Sequence, residues 1–134
     1  MKPWRVCLGH GSFVTLEFDK PDAREPTHGE WHLWIYCCDW RLTRGKAVVA
    51  KSAFSNRDEV NTALAALEAN TVDDAQISGN NTSLVFTDGL RISVWPYEDS
   101  VDWPAATTEQ WLLFRPSGDV VALFADGHVE IRPR

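Results

Sequence analysis

The chain has 134 residues, 44% of them hydrophobic and 24% charged, and a net charge of −6. The length suits one domain, 1–134, and the composition excludes a disordered chain. The acidity argues against a general nucleic-acid binder, which needs a basic footprint, and no apolar run approaches the roughly 20 residues that span a bilayer.

Met1-Lys2-Pro3-Trp4-Arg5 leads into an apolar stretch far too short for a secretion signal. The three cysteines are an odd number, and Cys37 and Cys38 are adjacent, which fits a reducing cytoplasm better than a secreted disulfide framework. Charge is uneven. Residues 1–51 carry eight Lys/Arg and six Asp/Glu, whereas residues 52–134 carry five and thirteen, a net of −8.

Trp4 to Leu8 reads as a short strand, broken by Gly9-His10-Gly11. Ser12 to Phe18 alternates, with Val14, Leu16 and Phe18 on one face and Phe13, Thr15 and Glu17 on the other, as in a half-buried strand. Residues 19–29 hold two prolines and five charges and read as an exposed loop. Glu30 to Leu42 is predicted as one long central strand, apolar on both faces over its first half. Thr43 to Lys46 is a turn, and Ala47 to Lys51 returns beside the strand.

The period then changes. Val60, Ala63, Leu64 and Leu67 form one helical stripe, which predicts a helix over about 56–69. Asn56 and Glu59 suit a capping box, with Ser55 as the alternative cap, and Asn70 suits a left-handed stop. Val72 to Ile77 is the next strand. Ser83 to Phe86 and Leu90 to Trp95 flank Asp88-Gly89, a hairpin turn. Residues 96–108 form a Pro-bounded loop. Glu109 to Arg115, Val120 to Phe124 and His128 to Arg132 complete a predicted α+β fold, a largely antiparallel, curved sheet or pair of sheets with one helix.

The two halves resemble one another. Leu16-Glu17-Phe18 matches Leu84-Val85-Phe86, Trp40-Arg41-Leu42 matches Trp111-Leu112-Leu113, and Val48-Val49-Ala50 matches Val120-Val121-Ala122. An internal β duplication would place two similar units either side of the helix, with a pocket at their seam.

Several residues carry chemistry. The Gly9-His10-Gly11-Ser12 turn could cradle an anion on its N–H groups, with His10, Ser12 and His32 as candidate catalytic residues. The plainer alternative is a glycine-rich connection. His28 and His32, four residues apart on a strand, would lie roughly 13 Å apart, too far for one metal ion. Cys37 and Cys38 would face opposite sides, so no metal or cofactor is expected. Asp39 and Arg41 share a face and suit an ion pair. Trp95, Tyr97 and Trp103 stand among Glu98, Asp99 and Asp102, and this loop is the candidate partner-binding surface.

Gly9-His10-Gly11-Ser12-Phe13, Gly29-Glu30-Trp31-His32-Leu33-Trp34-Ile35-Tyr36-Cys37-Cys38-Asp39-Trp40 and Glu109-Gln110-Trp111-Leu112-Leu113 resemble a set of small uncharacterised bacterial proteins, a domain of unknown function. In size, acidity and compartment the chain is also similar to the immunity proteins of bacterial toxin systems. What this resemblance implies is a non-enzymatic cytoplasmic binding protein with a basic protein partner. The alternative expectation is a small enzyme or ligand-binding domain with a cleft near His10 and Ser12.

Overall fold

The computed structural model describes residues 1–97 and 104–134. Eleven strands run in chain order: β1 (Pro3–Leu8), β2 (Val14–Pro21), β3 (Gly29–Ile35), β4 (Asp39–Arg44), β5 (Ala47–Lys51), β6 (Val72–Ser78), β7 (Asn81–Phe86), β8 (Leu90–Trp95), β9 (Glu109–Phe114), β10 (Asp119–Phe124) and β11 (Val129–Pro133). The helix α1 (Arg57–Ala65) lies between β5 and β6 and runs on into a 3-10 turn over Ala66–Ala69. Every strand pair is antiparallel. One sheet has the order β1-β2-β3-β9-β10-β11 and the other β5-β4-β8-β7-β6. Val14, Leu16 and Ile35 of the first sheet join Leu42, Ile92 and Val94 of the second in one buried cluster, so the sheets pack face to face.

The predicted strand over 30–42 is two strands. The chain bends at Tyr36-Cys37-Cys38 and changes sheet, β3 belonging to the first and β4 to the second. The bend keeps its backbone satisfied. The N–H groups of Tyr36 and Cys37 donate to the carbonyls of Gln110 and Glu109, at 2.8 and 3.3 Å, and Cys38 N–H donates to Tyr36. Alternating apolar residues fill both sides of such a corner, so periodicity could not reveal it. β2 also differs from expectation. It runs on to Pro21, with Asp19 at φ 62°.

α1 forms as its stripe requires. Asn56 caps it by accepting from Glu59 N–H, and Val60, Leu64 and Leu67 are buried against the core. Asn70 ends the segment in an extended conformation, not the left-handed one expected. Its side chain donates to the Ala66 carbonyl, so the helix end is satisfied without a positive φ. The Asp88-Gly89 turn has the positive φ at both residues that the hairpin requires (64° and 72°).

The strand order repeats. β1-β2-β3-β9-β10 in one sheet matches β6-β7-β8-β4-β5 in the other. Register repeats as well. Leu33 faces Leu113 as Ile92 faces Leu42, and Ile35 faces Trp111 as Val94 faces Trp40. The two units, β1–β5 and β6–β10, lie either side of α1 in chain order, but in space they are not separate. They interleave, each lending its fourth and fifth strands to the other's sheet. α1 has no counterpart after β10, where a short turn leads into β11 instead.

Candidate functional site

The inner face of the first sheet is built by simple alternation. Reading across the registers, Val6, Leu16, Leu33, Leu113, Val121 and Ile131 form one row from β1 to β11. At the β1 end the row is covered, since α1 packs against β1 and β5. At the other end it opens. Ile131 is 63% exposed and Val129, on the same face, 49%. On β6, the edge of the second sheet, Ile77 is 54% exposed.

On the β6 side a cleft of about 340 Å³ lies between the sheets, walled by Trp31, Leu33, Ala75, Ile77, Leu84 and Leu113 among others. Thr82 is the one polar residue among the described lining, and its hydroxyl accepts the Trp111 Nε1–H at 3.0 Å. No lining side chain titrates. Such a surface can bind apolar groups and can do no acid–base or nucleophilic chemistry. Exposed apolar side chains beside an apolar cleft are uncommon on a folded domain.

The predicted catalytic residues are not brought together into a cleft. His10 is exposed on the β1–β2 turn. The turn presents carbonyls, not an N–H cradle, to its neighbour. The Arg57 guanidinium donates to Gly9, at 2.7 Å, and to Gly11. Ser12 gives its carbonyl to Trp40 Nε1–H at 2.7 Å, and its side chain lies by the Tyr97 phenol. A recess of about 230 Å³ does lie beside this turn, lined by Gly11, Ser12, Trp40 and Arg57, but His10 and His32 are not part of it.

His32 is three register positions along β3 from the end where that turn begins. It is 4% exposed and faces Glu17, itself 1% exposed. His32 Nδ1 lies 2.6 and 2.8 Å from the two Glu17 oxygens, and Gly29 N–H donates to the same carboxylate at 2.9 Å. A buried carboxylate needs such partners. The His28 ring stacks on His32 at 4.0 Å between centroids. The 13 Å separation expected of a continuous strand fails because His28 precedes β3 and the β2–β3 register shifts between Phe18 and Pro21. No cluster of three or more metal-ligating side chains occurs among the described residues.

The three thiols are free. Cys37 and Cys38 are buried at the corner, and burial pushes both thiols up in pKa. The expected Asp39–Arg41 pair is absent. Asp39 accepts from the Ser52 hydroxyl at 2.9 Å, and Arg41 lies over the Trp95 ring at 5.6 Å. Trp95 and Tyr97 are half-buried. Burial raises the Tyr97 pKa, with the Ser12 side chain opposing the shift. Of the predicted partner-binding residues, Glu98, Asp99, Asp102 and Trp103 lie outside the described residues.

Sequence reasoning missed Ile77, Val129 and Ile131. Their alternation was visible as strand signal, but nothing in it told a covered face from an open one. Among the described residues, no helix is long and apolar enough to cross a membrane. Comparison with protein-family models, with curated proteins and with solved structures finds no match for this chain.

Proposed function

We propose that this chain is a non-enzymatic binding protein that docks a protein partner on the open side of its sandwich. The observation that carries this reading is the apolar cleft of about 340 Å³ with the exposed Ile77 in its wall, together with the exposed Val129 and Ile131 on the inner face of the first sheet's edge strand. Apolar centres with polar surroundings supply most of the energy of protein interfaces. The finer reading is an immunity-type inhibitor of a bacterial toxin. It is supported by the small size and by the net charge of −6, which would draw a basic partner and speed the encounter. In this reading Glu98, Asp99 and Asp102, of the loop expected over 95–109, steer association, and the cleft holds the complex together.

The test is a calorimetric titration against the product of the gene next to its own, paired with protection of a culture expressing that product. The wild-type chain is expected to bind and protect. Ile77→Asp is expected to weaken the complex at least tenfold while its melting temperature stays put, because the side chain is mostly solvent-exposed. Glu98→Gln, Asp99→Asn and Asp102→Asn together should slow association and flatten its salt dependence. A complex indifferent to Ile77→Asp sinks the cleft as the docking surface, and no complex at all sinks the toxin reading.

A further inference from the structure

We propose that the open side of the sandwich seats an amphipathic α-helix contributed by a protein partner, in the place related to the seat of α1 by the internal repeat. This rests on the cleft being the docking surface and adds the chemistry of what docks.

The covered side shows what such a seat requires. Antiparallel edge strands leave alternate N–H groups without a strand partner. On β1 those groups are taken by helix-side residues. Leu8 N–H donates to Asn61 Oδ1 at 2.8 Å, and Val6 N–H donates to Glu68 Oε2 at 3.3 Å. Beneath them, Val60, Leu64 and Leu67 fill the space between the sheets. The helix therefore does two things: it supplies apolar volume, and it caps an edge.

The open side repeats the seat without the helix. Val6 faces Leu16 and Leu8 faces Val14, as Ala75 faces Leu84 and Ile77 faces Thr82. β6 is thus the counterpart of β1. Val6 is 2% exposed under the helix, whereas its counterpart Ala75 is exposed. Leu16 and Leu42 are buried, whereas their counterparts Leu84 and Leu113 are only half-buried. The Ala75 N–H, counterpart of the one that Glu68 accepts, is held by the carboxylate of Asp74, its own neighbour, at 2.9 Å. Alternation turns the Ile77 N–H to the same outer edge.

A helix with apolar residues at i, i+4 and i+7, the spacing of Val60, Leu64 and Leu67, matches this vacancy. A side-chain acceptor at i+1, the place Asn61 has after Val60, would meet Ile77 N–H as Asn61 meets Leu8. Charge adds a preference. β6 carries Asp73 and Asp74 and no Lys or Arg, so the flank of the helix crossing it is basic.

The experiment uses the full chain and a stapled 15-residue helix with Leu at i, i+4 and i+7 and Lys on one flank, followed by fluorescence anisotropy. Saturable binding of one helix per chain is expected, at least tenfold weaker for an isomer broken by a central Pro. Ile77→Asp and Ile131→Asp should each weaken binding at least tenfold. Val49→Asp, on the helix-covered side, should leave it unchanged. Should an Asp variant fold poorly, methyl shift mapping on the wild-type chain replaces it, with Leu84 and Leu113 the methyls expected to move. Overturning results are no saturable binding, binding that moves neither residue, uptake of palmitate in place of the helix, or a dimer in sedimentation that covers the same side. If the stapled helix fails while Ile77→Asp still weakens the cognate complex, the docking cleft survives and the helix does not. If the cognate complex ignores Ile77→Asp, both fall.

Discussion

Glu17 and His32 show how an outward-facing pair becomes structural. Strand alternation places both on the outer face of β2 and β3, where side chains are usually solvated, yet both are buried. Gly29 N–H and the imidazole satisfy the carboxylate, and the stacked His28 ring and the Phe114 ring, 5.2 Å from His32, close the site. Glu17→Ala leaves the imidazole and the Gly29 N–H without their acceptor, and is expected to cost about 3 kcal/mol in denaturant unfolding. Replacing both by Leu should recover part of that loss, and a double variant as unstable as the single one would contradict this account. Two other histidines carry opposite pH signatures. Glu130 and then Asp126 hold the His128 pKa above its usual 6.5. That raised value stabilises the fold fully below pH 6.5, and the contribution disappears as pH rises through the folded value. Burial first, and then the charge of His32, lowers the His28 pKa. The unfolded chain then takes that proton more readily, so His28 subtracts stability as pH falls from 6.5 through its lower folded value. An NMR titration of the ring protons should find His128 above 6.5 and His28 below it, and the reverse order would refute the assignment.

At the scale of elements, α1 was legible except for its end, where Asn70 is extended and not left-handed. Its stripe, its Asn56 cap and its length were all present in local sequence, because a helix satisfies its own backbone. Leu64 is fully buried at the centre of the stripe. Leu64→Asp places a charge there with no partner and should destabilise the fold by about 3 kcal/mol or more. A melting temperature unchanged by that substitution would mean the helix is not docked. The corner at Tyr36 to Cys38 was not legible, since an apolar run bends for reasons that lie elsewhere. Here they lie in the carbonyls of Glu109 and Gln110, more than seventy residues away. The His28–His32 stack was hidden for a related reason: spacing along a strand gives distance only while the strand continues.

For the whole molecule, interleaving has a consequence for folding. β3 needs β9 and β4 needs β8, so neither half of the chain completes a sheet alone. Contacts this distant in sequence slow folding, toward milliseconds to seconds. Fragments 1–70 and 71–134 are each expected to lack cooperative unfolding when followed by circular dichroism, and to regain it when mixed. A fragment that folds cooperatively by itself would show that the units are autonomous and the exchange incidental. The same interleaving creates the asymmetry on which function is argued. Two matching edges arise, one capped by α1 and one left open.

The α+β class, most strands, the helix with its cap, the Asp88-Gly89 turn and the likeness between the halves follow from local pattern, because hydrophobic period, cap residues and positive-φ turns act over a few residues. Which sheet each strand joined, where the long strand broke and which apolar face stayed uncovered were decided by tertiary structure alone. Ile131 and Val6 stand in one continuous row and carry the same kind of side chain. One is exposed and the other buried because a helix covers only one end of that row, and coverage is a property of what packs on top, which no residue's own neighbours in sequence record.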